Sequence, residues 1–373
     1  MTIPQNIENP YIPEFEKYLR TPEPSVRERA DYWRTAIGLQ AVDQLTVSDF
    51  LKQTAQEHIE GRISVDEAEK RLYTYYQAKE VRLPDDDEKE EADKVSVNII
   101  KLLGEQSFTF SVAGFASIHR QIFRGVFKHA GQFRDYDISK KEWVLDGDTV
   151  LYASCSQLQA TLEYDLTQEK QFDYSNLALP DAIRHIADFV AGIWQIHPFR
   201  EGNTRTTAIF TIKYLRSIGF RQINNDLFEL HSWYFRNALV RANYKNVAKA
   251  VNPDSSYLVA FFRNLLLNEQ TPLHNRDLHI SHASNQSAKE EVQSATGIFS
   301  KCRNCTLEET AVLQIIQRNT RATQKQIAAE IGKSERTVKT ITVNLTQKGL
   351  LVRRNGKRDG YWEIVDKQSS LSR

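Results

Sequence analysis

Residues 181–219 read DAIRHIADFVAGIWQIHPFREGNTRTTAIFTIKYLRSIG, and this stretch decides the fold. Apolar residues recur at steps of three and four from Ile183 to Ile196, a spacing that predicts one apolar stripe along a helix. The second half shows the same spacing and ends at Gly219. The polar residues 197–205 therefore form a short loop that runs into the start of a helix.

The loop 197–205 carries the residue types that phosphate chemistry needs. Gly202 lets the backbone approach a ligand closely, and the amides that follow it lie at a helix N-terminus, which favours an anion. Glu201 offers a hard oxygen ligand for Mg²⁺, and Arg205 can fork onto phosphate oxygens. His197 suits removal of a hydroxyl proton. Each residue alone has a purely structural explanation, but the combination favours catalysis.

The composition excludes several classes of protein. The 373 residues carry a net charge of +1, so the chain as a whole is not built to coat a polyanion. No apolar run approaches the roughly 18 residues of a membrane span, and the N-terminus lacks the features of a secretion signal. Cys155, Cys302 and Cys305 favour a reducing compartment, and the lone Cys-x-x-Cys lacks the other ligands of a zinc site. We expect a cytoplasmic protein with no membrane partner.

Polar, weakly periodic segments divide the chain. We expect a helical segment over 1–94, a catalytic core over 95–270, a linker over 271–305 and a small domain over 306–366. Within the core, an Asp-Gly pair separates two β-prone runs in residues 143–152, which predicts a β-hairpin. The expected fold is mainly α, with this hairpin beside the helices.

The loop resembles the signature of the Fic (Fido) family, His-Pro-Phe-x-(Asp or Glu)-Gly-Asn-Gly-Arg-x-x-Arg. The chain matches it at His197, Pro198, Phe199, Glu201, Gly202, Asn203 and Arg205. Similarity continues upstream in IHRQIFRGVFKHAGQFRDYDISK, residues 118–140. The resemblance implies an all-helical Fic core with a β-hairpin flap. It also implies a protein adenylyltransferase, which moves AMP from ATP to a Ser, Thr or Tyr hydroxyl of a target protein, with Mg²⁺.

The resemblance assigns roles to individual residues. His197 would be the catalytic base, and Glu201 would be the metal ligand. The residues implied to bind the nucleotide phosphates are Gly202, Asn203, Thr204 and Arg205. The residues implied to form the flap, which would hold the target backbone by strand addition, are Lys140, Lys141, Glu142, Trp143, Val144 and Leu145.

Two departures from the family pattern leave alternatives open. Thr204 stands where the family has Gly, and Ala208 stands where the second Arg would orient the terminal phosphate. A Doc-like phosphotransferase, which also lacks that Arg, is one alternative, although the retained Glu-Gly-Asn and the length of the chain favour AMP transfer. A non-enzymatic, nucleotide-sensing DNA-binding regulator is the other alternative.

The N-terminal segment looks like the small antitoxin module that accompanies some Fic proteins. That module carries (Ser or Thr)-x-x-x-Glu-(Gly or Asn), whose Glu pairs with the second Arg of the active loop. The best alignment places Ala36 and Gln40 on those positions, and Gln56 to Gly61 is a competing register. Because Ala208 leaves no guanidinium to pair, we expect glutamate-type autoinhibition to be missing or replaced. A helical scaffold with no regulatory role is the other interpretation.

Residues 306–366 resemble a winged helix-turn-helix domain, with three helices followed by two strands around a basic Asn-Gly turn. The candidate DNA contacts are Arg336, Lys339, Arg353, Arg354, Lys357 and Arg358. Clustered basic residues of this kind bind phosphates, but many such domains serve only protein interaction or dimerisation. DNA binding and a homodimer therefore both stand as hypotheses.

Overall fold

The computed structural model describes residues 13–78, 84–175, 177–220, 226–283, 305–355 and 360–365. The N-terminal helices are α1 (Pro13–Leu19), α2 (Pro24–Gly38), α3 (Asp49–Ile59) and α4 (Val65–Gln77). The central helices are α5 (Glu90–Gly104), α6 (Val112–Ile122), α7 (Leu158–Gln171), α8 (Leu179–Ile196), α9 (Asn203–Ser217), α10 (Asp226–Leu230), α11 (Ser232–Asn243), α12 (Ser256–Leu267) and α13 (Ile280–Ala283). The C-terminal elements are α14 (Leu307–Arg318), α15 (Gln324–Ile331), α16 (Glu335–Gln347), β1 (Leu351–Arg354) and β2 (Tyr361–Ile364). Short 3-10 helices lie at Leu39–Asp43, Pro84–Lys89, Trp143–Leu145 and Asn275–Leu278.

The two apolar helices predicted from the sequence are α8 and α9. Pro180 lies in the first turn of α8, where its missing N–H is not needed, and Ile183 and Ile186 are buried on the predicted stripe. Every residue of α9 from Asn203 to Leu215 is buried, so this helix lies inside the core. None of the helices in the described ranges has both the length and the hydropathy that crossing a membrane requires.

The N-terminal helices share one hydrophobic core with the helices that follow. Helix α2 packs against α5 and α10. Trp33 and Ile37 of α2 are fully buried in the same cluster as Phe210 of α9 and Phe235 of α11. The 3-10 helix Leu39–Asp43, which continues α2, contacts both α9 and α11. This packing brings the N-terminal segment against the helix that follows the polar loop.

The hairpin predicted for residues 143–152 forms its turn but not its strands. Asp146 and Gly147 both have positive φ, 57° and 81°, as a tight hairpin turn requires. The residues before the turn form a 3-10 helix, and none of the described residues in this segment is in a strand. Adjacent residues of a strand point to opposite faces, whereas Val144 and Leu145 are both buried. The predicted β-hairpin flap is therefore a helical turn and a loop.

The C-terminal elements have a hydrophobic cluster of their own, which includes Leu313 of α14, Ile327 of α15 and Val338 of α16. Strands β1 and β2 pair antiparallel, with Leu351 opposite Ile364. Three helices followed by a two-stranded wing confirm the predicted winged helix-turn-helix fold.

The winged domain packs on the helical core. The Leu179 amide, at the start of α8, donates to the Cys305 carbonyl over 2.8 Å. The Gln314 side chain of α14 donates to the Leu266 carbonyl of α12 over 2.6 Å. Leu278, early in the stretch predicted as a linker, is buried in the large core. Residues 284–304, which include Cys302, lie outside the described residues.

Candidate active site

The polar loop joins α8 to α9 through two residues in the left-handed conformation. His197 ends α8 with φ 50°, and Gly202 precedes α9 with φ 71°. The Asn203 side chain closes the loop, because its amide donates to the Phe199 carbonyl over 2.8 Å and its oxygen accepts from the Phe199 amide over 2.9 Å. Asn203, a predicted phosphate ligand, thus uses both ends of its side chain to hold the loop.

His197, the predicted base, is 3% exposed and held at one ring nitrogen. Nδ1 lies 3.2 Å from the Trp194 carbonyl, an acceptor, which assigns the proton to Nδ1 and a lone pair to Nε2. Within the described residues Nε2 has no hydrogen-bond partner. Burial, and after it the positive charge of Lys140, hold the pKa of His197 well below its usual range. The imidazole is therefore neutral and able to accept a proton at Nε2.

Arg134 fixes the backbone that carries this histidine. Its Nε donates to the His197 carbonyl over 2.8 Å, and its own amide donates to the Pro198 carbonyl over 2.8 Å. Its Nη1 donates to the Tyr136 carbonyl over 2.6 Å, and its Nη2 donates to the Ala153 carbonyl. The sequence shows this Arg in Ala-Gly-x-Phe-Arg, but no local pattern indicates that it joins three segments of backbone.

His119 of α6 holds the other side of the loop. The Gly131 amide donates to its Nδ1 over 2.8 Å, so Nε2 carries the proton and donates to the Glu201 carbonyl at 3.1 Å. Its ring stacks on Phe199, with ring centroids 3.7 Å apart. Burial lowers the pKa of His119 to about 3, which keeps the ring neutral and its tautomer fixed. No sequence pattern indicates this role of His119.

Glu201, the predicted metal ligand, lies within the loop and presents an exposed carboxylate. His119 fixes its backbone, whereas its carboxylate has no hydrogen bond or ion pair to any described residue. The described part of the chain contains no group of three or more His, Cys, Asp or Glu side chains that could hold a metal ion. A single unpaired carboxylate fits Mg²⁺, which keeps its waters and binds through one or two carboxylates plus substrate phosphates.

The start of α9 offers its backbone amides to an anion. No side chain of the described residues caps this helix end, so its first amides keep their hydrogen-bonding capacity. Thr204 points toward α8, since its hydroxyl accepts from Nε1 of Trp194 over 2.9 Å. The Phe123 ring lies against Gly202, where an added Cβ would come within 2.1 Å of the ring. A side chain at position 202 is therefore excluded.

Arg205, a predicted phosphate ligand, is 1% exposed and bound by the N-terminal part of the chain. Nη1 donates to Oε1 of Gln40 over 2.9 Å, and Nη2 donates to Oε1 of Glu91 over 2.8 Å. Nε forms an ion pair with Oδ2 of Asp43 at 2.9 Å. Ala208 predicts that an inhibitory group has no guanidinium to hold at that position. Arg205, which lies 165 positions from Gln40 in the sequence, offers a guanidinium that this prediction does not include.

The predicted flap residues do not present a strand edge. Glu142 is buried and pairs with Arg236 of α11 through contacts of 2.6 and 3.1 Å, and its amide donates to the Asp148 carbonyl. Of the other flap residues, Val144 and Leu145 are buried, Lys140 and Trp143 are partly buried, and Lys141 is exposed. Residues Trp143–Leu145 form a 3-10 helix, so they offer no strand edge for a target backbone in this structure.

The candidate DNA contacts lie on two elements of the winged domain. Arg336 and Lys339 are exposed on one face of α16, and Arg353 is exposed on β1. Arg354 is also exposed, but it forms an ion pair with Glu363. The remaining two candidates, Lys357 and Arg358, lie outside the described residues.

Three solved structures are similar to this chain. A Fic family protein from Desulfovibrio desulfuricans G20 is 12% identical, with a TM-score of 0.43, over 94% of this chain and 90% of that one. The VirB-translocated effector BepC from Bartonella tribocorum, with bound AMPPNP, is 19% identical, with a TM-score of 0.37, over 50% of this chain and 88% of that one. The type IV secretion system effector BepA is 19% identical, with a TM-score of 0.34, over 54% of this chain and 67% of that one.

Comparison with protein families gives two matches. Residues 109–215 match the Fic/DOC family, and residues 309–352 match a family described as winged helix-turn-helix DNA-binding. No curated protein matches the chain. The chain thus contains a Fic/DOC domain at residues 109–215, followed by a winged helix-turn-helix domain at residues 309–352.

Proposed function

We propose that the chain is a protein adenylyltransferase, which transfers AMP from ATP to a Ser, Thr or Tyr hydroxyl of a target protein. The observation that carries the proposal is the condition of His197, a neutral imidazole with Nδ1 held by Trp194 and Nε2 unpaired within the described residues. The loop that follows this base ends at the uncapped amides of α9. The match of residues 109–215 to the Fic/DOC family supports the same chemistry.

In the proposed reaction, the target hydroxyl gives its proton to Nε2 of His197 while its oxygen attacks the α-phosphorus of ATP. A new oxygen–phosphorus bond forms, the bond from the α-phosphorus to the bridging oxygen breaks, and pyrophosphate leaves. The amides at the start of α9 offset the negative charge on the phosphate oxygens. The Glu201 carboxylate would hold Mg²⁺, which neutralises phosphate charge when bound.

The charges around His197 should make it a stronger base when a nucleotide is bound than when the site is empty. Burial and the positive charges of Lys140 and Arg236 keep the pKa of His197 low. A polyphosphate among these cations would offset their effect and raise that pKa. The imidazole would then keep the proton from the target hydroxyl more readily, so base strength and nucleotide binding are coupled.

Two residues must become accessible before the reaction. Nε2 of His197 is buried, and the guanidinium of Arg205 is held by Gln40, Asp43 and Glu91. Carboxylates and phosphates compete for the same guanidinium, since both bind its N–H groups in the same geometry. We therefore infer that nucleotide binding replaces these protein contacts with phosphate oxygens, and that the N-terminal segment restrains the enzyme.

Labelled ATP tests the proposal. The protein is incubated with MgCl₂, a cell extract that supplies targets, and ATP labelled at either the α- or the γ-phosphorus. We expect protein-bound label from α-labelled ATP, no label from γ-labelled ATP, and no label with the His197→Ala variant. Label from γ-labelled ATP alone would indicate the Doc-like phosphotransferase, and no label from either would contradict both enzymes.

DNA binding is a second function, favoured by the exposed face of α16. Arg336 and Lys339 lie one helical turn apart and are both exposed. The match of residues 309–352 to a DNA-binding winged helix-turn-helix family supports the same function. A mobility-shift assay at rising salt tests it, because binding driven by phosphate contacts weakens steeply with salt. A protein that shifts DNA but never labels a target would be the non-enzymatic regulator.

A further inference from the structure

We propose that Lys140 binds the β- or γ-phosphate of the nucleotide and supplies the cation that position 208 lacks. This inference rests on the proposed function, because it concerns the nucleotide of the same reaction. Ala208 is fully buried on α9 and carries no charge to offer a phosphate. The family resemblance implies that Lys140 helps to hold the target protein, whereas its surroundings in the structure are those of the active loop.

The backbone of Lys140 is fixed at the edge of the site. Its amide donates to Oγ1 of Thr149 over 3.2 Å. Two residues later, the buried carboxylate of Glu142 accepts from the Tyr152 hydroxyl over 3.4 Å. The Tyr152 ring in turn has its centroid 4.3 Å from that of His197. These contacts fix the backbone of Lys140 relative to His197.

The ammonium group of Lys140 lies among the charges of the active site. The carboxylates that attract it belong to Asp43, Glu142 and Glu201. Among the charged residues, Lys140 lowers the pKa of His197 the most. The Lys140 side chain is also partly buried, so its charge is partly removed from water.

Lys140 differs from the other cations of the site because its ammonium group has no hydrogen bond or ion pair to a described residue. Arg205 and Arg236 are bound by side-chain acceptors, and Arg134 is bound by main-chain carbonyls. Lys140 forms no ion pair with any residue in the described ranges. A partly desolvated ammonium ion gains stability when it meets an anion, and lysine binds phosphate as a point charge.

Asp43 connects this cation to the phosphate-binding loop. Its carboxylate pairs with Nε of Arg205 at 2.9 Å and also attracts Lys140. A phosphate group that displaced this carboxylate would therefore meet two cations at once. A neutral peptide backbone would gain neither interaction, so we assign a polyphosphate rather than the target protein as the ligand of Lys140.

The test compares nucleotides that differ in phosphate number. Isothermal titration calorimetry measures the affinity of ATP and of AMP for the full chain and for Lys140→Ala, Lys140→Arg and Lys170→Ala. Lys170→Ala removes one positive charge from the exposed end of α7 and serves as the control. We expect Lys140→Ala to weaken ATP binding by about tenfold or more, as a charge-assisted contact to phosphate implies, and to leave AMP binding unchanged. Lys140→Arg should keep most of the ATP affinity.

Unchanged ATP affinity in Lys140→Ala would overturn the inference, as would an equal loss for AMP and ATP, or a full chain that binds no ATP. Thermal unfolding of each variant separates lost binding from lost folding, and Lys140→Met gives the same comparison should Lys140→Ala unfold. The proposed function fails in a different way. ATP binding that depends on Lys140, without any transfer of AMP, would refute the transferase and keep the phosphate site.

Discussion

Nη1 of Arg205 donates to Oε1 of Gln40 over 2.9 Å, and this contact joins the start of α9 to the segment that follows α2. Asp43 and Glu91 bind the other nitrogens of the same guanidinium. Arg205 is also one of the residues that the family resemblance assigns to phosphate. In the proposed function, packing of the N-terminal segment and binding of a phosphate therefore compete for one side chain.

Loss of these acceptors should raise activity. In a variant with both Gln40→Ala and Asp43→Ala, Arg205 loses two partners that a phosphate would have to displace. We expect AMP transfer to rise about tenfold or more, because one hydrogen bond to a charged group contributes about 1.5–3 kcal/mol. Labelling with α-labelled ATP measures the rate, and Ser64→Ala, which removes the cap of α4 and leaves the partners of Arg205 in place, is the control. A lower melting temperature without more labelling would show a purely structural contact.

A side chain at position 202 should destabilise the protein. Gly202 has φ 71°, and an added Cβ would come within 2.1 Å of the Phe123 ring. We expect Gly202→Ala to lower the free energy of unfolding by about 2–4 kcal/mol, from left-handed strain and overpacking together. Urea denaturation measures this loss. If the clash with Phe123 is responsible, adding Phe123→Leu should recover part of the lost stability. No recovery would contradict the clash as the cause.

The ion pair between Glu142 and Arg236 should contribute to stability only while both residues are present. Both side chains are largely buried and meet at 2.6 and 3.1 Å. We expect Glu142→Ala to cost about 3–5 kcal/mol of stability, because it leaves a buried guanidinium unpaired. The double variant with Arg236→Met should cost less than the sum of the two single variants. Additive losses in a double-mutant cycle would contradict a direct interaction.

Local sequence patterns predicted most of the helices around the site. The spacing from Ile183 to Ile196 predicted α8, the polar run after it predicted the loop, and Gly219 marked the end of the next helix; all three are confirmed. The Asp146-Gly147 pair predicted a turn, which is also confirmed. These features depend on interactions between residues close in sequence, where spacing and turn chemistry are directly readable.

Contacts between distant segments were not predicted. The predicted strands around Asp146 are absent from the described residues, where Glu142 instead pairs with Arg236, 94 positions away. The partners of Arg205 and the role of His119 depend on contacts over 82 to 165 positions. No local periodicity encodes such pairs, and the residue types alone allow an ion pair and a phosphate contact equally well.

Stability below neutral pH should depend on His119. Burial lowers its pKa from 6.5 to about 3. As the pH falls below 6.5, the unfolded chain binds a proton at this imidazole while the folded chain does not, so stability falls until about pH 3. One such group adds a slope of about 1.4 kcal/mol per pH unit. Urea denaturation at pH 7.5, 6 and 5 should show a smaller slope for His119→Gln. An unchanged slope would contradict a neutral His119 in the folded protein.

The most direct test of the central claim is the intact mass of the target and of the protein itself after incubation with ATP and MgCl₂. We predict a gain equal to one AMP group on a hydroxyl-bearing residue, which disappears in His197→Ala and persists in Ser64→Ala. A gain equal to a phosphate group, or an AMP gain that survives loss of the imidazole, would contradict catalysis by this loop.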